Sequence, residues 1–89
     1  ILGPTLDAGS ATARREWCIN TMAADPLRRS VLANNEDGVM YRWDLATNTL
    51  SQSVRLNSGL GQAYTPTLVG ADGAVYAISN ATLYSIRAV

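Results

Sequence analysis

"SVLANNEDGVMYRWDLATNTL", residues 30–50, decides how this chain is read. Ser30 to Asn34 opens it with a short run that is apolar on both sides of the pleat, as expected of a strand covered above and below. Asp37-Gly38 follows, a two-residue hairpin signal, because both residues tolerate the positive φ of a type I′ turn. Beyond it Val39, Tyr41, Trp43 and Leu45 alternate with Arg42 and Asp44, which gives one apolar and one polar face. Met40 interrupts the polar face, so that end of the strand is expected to be covered.

The rest of the chain punctuates itself in the same way. Asp72-Gly73 is a second hairpin signal and Asn80-Ala81 a weaker third. Asp25-Pro26 opens a loop to Arg29, and residues 57–61 form the longest Gly-rich connection. No window keeps a helical stripe for three turns. Strands are expected at 1–6, 17–23, 30–34, 39–45, 51–56, 65–69, 74–79 and 82–88. That density of short strands is expected of an all-β protein.

These strands repeat. Met40-Tyr41-Arg42-Trp43 aligns with Leu83-Tyr84-Ser85-Ile86 at an offset of 43, and Val31 and Ala33 align with Val75 and Ala77 at 44. Thr21-Met22 aligns with Thr67-Leu68 at 46, and residues 5–9 align with 55–59 at 50. Every change of offset falls in a connection, where length changes are tolerated. A competing register aligns "DGVMYRWD" with "DGAVYAIS" at 35, but it equates a second-strand run with a third-strand run, so the first is preferred. Four strands in roughly 40–45 residues is the period of a β-propeller blade.

The stretch at 30–50 resembles propeller blades of the pyrroloquinoline-quinone-repeat type and the related WD-repeat type. Tyr41, Asp44 and Thr47 match the quinone-repeat pattern Tyr-Ala-x-Asp-x-x-Thr-Gly-x-x-x-Trp. Arg42 stands where Ala is usual, Asn48 replaces Gly and Gln52 replaces Trp. In the competing register Tyr76 and Ala77 match, but Ser79 replaces Asp. The resemblance spans residues 17–89 and implies a periplasmic or secreted setting. It also implies an alternative role as the C-terminal blades of a quinone-dependent dehydrogenase, although the full cofactor-docking motif is missing. Asp44 is expected to tie strand to turn through Thr47 or a backbone N–H, as an Asp near this place does in WD-type blades.

Composition narrows the function classes. The 89 residues suffice for one domain, with 47% hydrophobic and 16% charged residues. Seven acids balance seven bases, all of them Arg, so no net field draws in nucleic acid or a membrane surface. The absence of His removes the commonest metal ligand and neutral-pH base. The single Cys18 forms no internal disulfide and reads as a small buried hydrophobe. The chain opens on Ile1 and not Met, which suggests processing or a longer parent chain.

Each candidate site has a plainer reading that weighs more. Asn34-Asn35-Glu36-Asp37-Gly38 is rich enough in oxygen for a Ca²⁺ loop, but it reads better as a solvated turn. Arg14-Arg15 and Arg28-Arg29 are better solvated loop ends than phosphate grips. Trp17, Tyr41, Trp43, Tyr76 and Tyr84 are better core than a ligand-stacking surface, with Tyr64 the exception at the end of a Gly-rich loop. Asn80-Ala81-Thr82 fits a glycosylation sequon, which its turn position alone explains. No catalytic, cofactor-binding or metal-binding residue is assigned, and no cofactor is expected.

The expectation is therefore an all-β module of about two four-stranded antiparallel blades. Residues 1–16 are an outer strand and connection, 17–56 the first blade and 64–89 a second, incomplete one. The strand at 1–6 is a candidate partner for the one at 82–88. Two blades alone leave two apolar faces in water. At roughly 25 cal/mol per Å², a few hundred Å² matches a large part of a small domain's about 5–15 kcal/mol. The expected partners are thus further blades of a parent chain or identical copies, roughly two to four of which make four to eight blades. The expected role is a non-catalytic binding or scaffolding module for a protein or carbohydrate ligand, or else a purely structural piece.

Overall fold

The computed structural model describes residues 1–17, 22–57 and 67–87. Their strands form two antiparallel sheets, each joined in sequence order. The first holds β1 (Ala23–Asp25), β2 (Ser30–Asn34), β3 (Val39–Asp44) and β4 (Thr49–Arg55), and the second holds β5 (Leu68–Val69), β6 (Val75–Ser79) and β7 (Thr82–Ile86). The architecture is all-β; among the described residues the only helical element is one 3₁₀ turn at Pro26–Arg28.

Both Asp-Gly hairpins depart from the expected turn type. Positive φ falls on Gly38 (82°) and Gly73 (85°) but not on the Asp before either. Gly38 N–H donates to the Asn35 carbonyl at 3.1 Å, and Gly73 N–H donates to the Gly70 carbonyl at 3.0 Å, which makes longer loops ending in a glycine bulge. The cause is the Asp side chain. Asp37 Oδ1 accepts from Val39 N–H at 3.0 Å and Asp72 Oδ1 from Ala74 N–H at 3.1 Å, a local bond that leaves the left-handed residue to Gly. The two-residue type I′ geometry occurs instead at Asn80-Ala81, with φ of 50° and 63°.

The segment at 1–6 is not a long strand. Pro4 has no N–H to give a ladder, and the chain reverses at Asp7–Ser10 through Gly9 (φ 77°). Its nearest partner is its own return, through a single Leu6–Arg14 bridge. Among the described residues β7 pairs only with β6, so the candidate pairing of 1–6 with this strand is not made there. The segment covers the β2–β3 turn instead. Trp17 bridges Asn35, Glu36 N–H donates to the Glu16 carbonyl at 3.0 Å, and Gly3 sits against Arg15 and Asn35 so closely that a Cβ would lie 2.2 Å from the Arg15 oxygen.

The core lies between the sheets. Leu32 and Met40 from the first meet Val75 and Ala77 from the second, with Val54, Leu56 and Ile86 packed around them. Met40 is therefore covered, as the interrupted polar face of β3 implies. Asn34 Nδ2 donates to Thr67 Oγ1 at 3.3 Å and Asn57 Nδ2 to Ser79 Oγ at 2.7 Å, two further ties between the sheets. β1 and β5 run close to each other at one margin.

Pairing register assigns the outer faces, because residues directly opposite share a face. On the first sheet Val31, Ala33, Tyr41, Trp43 and Leu50 turn away from the core and line a small apolar hollow with Trp17 and Ile1. On the second, Leu68 pairs with Tyr76 and Leu83 with Ile78, which puts all four on the side opposite Val75 and Ala77. Leu68 is 61% exposed and Leu83 67% exposed.

Candidate functional site

Alternation along β3 sends Arg42 to the same side as Met40, toward the second sheet. On that side a cleft of about 330 Å³ is lined by residues of both sheets. Its polar lining includes Asp25, Arg28, Arg42, Gln52, Ser53 and Arg87. Its apolar walls include Leu32, Met40, Val54, Val69, Val75 and Ile86.

Arg42 is fixed in place. Its Nη1 donates to Asp25 Oδ2 at 2.9 Å and to Ser30 Oγ at 2.5 Å, and its Nε donates to Gln52 Oε1 at 2.7 Å. Asp25 is buried, and its carboxyl is held below the ordinary range by the Arg42 hydrogen bond, against the opposing effect of burial. The two other arginines are held loosely. Arg28 reaches Asp25 at 3.4 Å with most of its side chain in water, and Arg87 pairs with Asp72 at 2.6 Å, both partners exposed. The Ala74 N–H first, then Arg87, lowers the Asp72 carboxyl; Asp72 in turn raises Arg87.

The oxygen-rich turn at 34–38 is not solvated. Asn35 and Asp37 are buried beneath the N-terminal segment, and Asn34 is buried on the other side, against Thr67. Asp37 Oδ2 accepts from Thr5 Oγ1 at 2.8 Å and from the Tyr41 hydroxyl at 2.6 Å, while Asn35 Oδ1 accepts from Asp37 N–H at 3.0 Å. Burial first, then Asp37, pushes the Tyr41 hydroxyl up to about 12. These oxygens are engaged in tying the turn together. Among the described residues no cluster of carboxylates could hold a metal. Asn34 Oδ1 is buried and has no partner among the described residues.

The other candidates serve the fold. Arg14 donates to the Pro4 carbonyl at 3.0 Å and Arg15 pairs with Asp7 at 3.1 Å. Arg29 is left-handed (φ 47°) and its carbonyl accepts from Leu45 N–H at 3.0 Å. Trp17 meets Tyr41 edge-on at 5.5 Å, and Trp43 Nε1 donates to Asn48 Oδ1 at 3.0 Å. Asp44 Oδ1 accepts from the Ala46 and Thr47 N–H groups at 2.9 and 3.2 Å, the backbone tie expected of it. Asn80 is exposed at its turn. Cys18 and Tyr64 lie outside the described residues.

Sequence reasoning did not find the cleft. Asp25 read only as the residue opening a loop, Arg42 as one side of an alternating strand, and Arg87 carried no signal at all. Their meeting depends on pairing across strands and sheets. No family model, curated protein or solved structure matches the chain.

Proposed function

We propose that this chain is a non-catalytic scaffolding and binding module of β-propeller type, its two sheets being consecutive blades whose outer faces receive further blades or further copies. The supporting observation is the direction of the two sheets. Val31, Ala33, Tyr41 and Trp43 face away from the second sheet, while their counterparts in the preferred register, Val75, Ala77, Tyr84 and Ile86, face toward the first. Equivalent residues thus point the same way along the stack, as in a head-to-tail series of blades and not in a sandwich related by a two-fold axis. The proximity of β1 and β5, the first strands of each sheet in that register, fits a common hub.

Such a stack continues from an apolar face. Leu68, Tyr76, Ile78 and Leu83 provide one on the second sheet, and Tyr41, Trp43 and Leu50 the complementary one on the first. Sedimentation equilibrium tests the reading on the 89-residue chain. Association into a closed multimer, or into larger assemblies suppressed by a charge on the second-sheet face, is the expected result. A soluble, stable monomer at high concentration overturns it.

A further inference from the structure

We infer that the cleft between the two sheets is a binding site for a small organic monocarboxylate with an apolar body. The cleft is lined by residues of this chain's own two sheets, so the inference does not depend on the blade reading.

The chemistry of the lining selects the ligand. Three guanidinium groups, Arg28, Arg42 and Arg87, border one space of about 330 Å³, and among the described residues of its lining Asp25 is the one carboxylate. Arg42 spends Nε and Nη1 on Gln52, Asp25 and Ser30, which locks the guanidinium plane. A guanidinium carries five donors, and the two on Nη2 have no partner among the described residues. That leaves one nitrogen of fixed orientation, which can offer a carboxylate oxygen a charge-assisted hydrogen bond.

Arg28 and Arg87 approach from opposite walls, one after β1 and the other after β7. Arg87 and Asp72 are both exposed, so water screens their pairing, and Arg28 adds only a 3.4 Å contact to an Asp25 already held by Arg42. Either can exchange its carboxylate for a ligand's at little cost. Asp25 sets the charge limit: a dianion such as phosphate meets more repulsion from its buried carboxylate than a monoanion does. The wall of Leu32, Met40, Val54, Val69, Val75 and Ile86 gives the rest of the ligand an apolar bed and leaves a bare inorganic anion no advantage.

Isothermal titration calorimetry with four probes tests this on the intact chain. Hexanoate carries both features, acetate the anion alone, hexanol the body alone and inorganic phosphate the higher charge. Saturable hexanoate binding, at least about tenfold tighter than any of the other three, is expected. R87Q and R28Q alter exposed side chains, so their circular dichroism is expected to match the parent, and each weakens hexanoate about three- to tenfold. Hexanol binding as tightly as hexanoate, phosphate binding more tightly, no saturable hexanoate binding, or hexanoate binding unchanged in both variants each overturns the inference. Sedimentation of the same samples reports on blade stacking separately.

Discussion

Arg42 on β3 reaches across β2 to Asp25 on β1, Nη1 to Oδ2 at 2.9 Å, and so joins two strands that are not neighbours in the sheet. The pair is mostly buried, with 16% of the Arg42 side chain and 7% of the Asp25 side chain exposed. A buried pair contributes little over apolar replacements, yet losing one member strands the other charge. Arg42→Ala is expected to cost about 3 kcal/mol in urea unfolding, whereas the double replacement of Arg42 and Asp25 by Met and Leu costs much less. Equal losses in the two proteins count against this account.

The same pair sets the acid limb of stability. The Arg42 hydrogen bond holds the folded-state carboxyl of Asp25 below the ordinary 3.8 of an aspartate. Its contribution is therefore present above that value and is lost as pH falls through the lower, folded one. Unfolding free energy measured from pH 5 to pH 2 is expected to fall less steeply in Asp25→Asn than in the parent, from a lower starting point. Parallel curves remove Asp25 from the explanation.

Tyr41 and Asp37 govern the alkaline limb. The Tyr41 hydroxyl is raised from 10.0 to about 12. A raised value favours the protonated form in the fold, so the contribution is complete below 10 and is lost as pH climbs through about 12. Tyr41→Phe deletes the 2.6 Å bond to Asp37 Oδ2 but leaves the Thr5 bond, so it is expected to cost about 1 kcal/mol at pH 7. The difference between the two proteins shrinks between pH 10 and pH 12, and a constant difference over that window contradicts the assignment.

Two glycines are required for different reasons. Gly73 has φ of 85°, and no described residue lies within 4 Å of an added Cβ. Gly73→Ala meets only the backbone cost of the left-handed region, about 1–2 kcal/mol, and Gly73→Asn less. An added Cβ at Gly3 lies 2.2 Å from the Arg15 oxygen. Gly3→Ala therefore lifts the N-terminal segment off the β2–β3 turn and is expected to raise amide exchange at Asn35 and Asp37, with β6 and β7 unaffected. Thermal melts and hydrogen exchange separate the two cases.

The strands were legible where local chemistry settles them. Ser30–Asn34 matches its expected bounds, β3 ends one residue early and β4 starts two residues early, because alternation and Asp-Gly turns are local signals. The turn type was not legible, since Asp37 and Asp72 choose it with side-chain bonds that a hairpin motif does not specify. The strand expected at 1–6 failed because the reversal at Asp7–Ser10 offers a nearer partner than any sheet edge. The cleft was illegible for a deeper reason. Arg42, Asp25 and Arg87 come together only once strand order and sheet stacking exist, and no spacing in the chain encodes either.

The exposed face of the second sheet gives the sharpest test of stacking. Leu83 is 67% exposed beside Ile78, whereas Leu27 is 91% exposed in the 3₁₀ turn, off both sheet faces. A leucine buried at an interface is worth about 1.5–3 kcal/mol, and a buried unpaired carboxylate reverses that gain. If blades or copies stack there, Leu83→Glu shifts the sedimentation profile to a monomer while its circular dichroism stays that of an all-β fold. Leu27→Glu, equally charged but off the face, leaves the profile unchanged. Identical behaviour of the two variants means that simple surface hydrophobicity, and not a directed sheet-on-sheet contact, drives whatever association the chain shows.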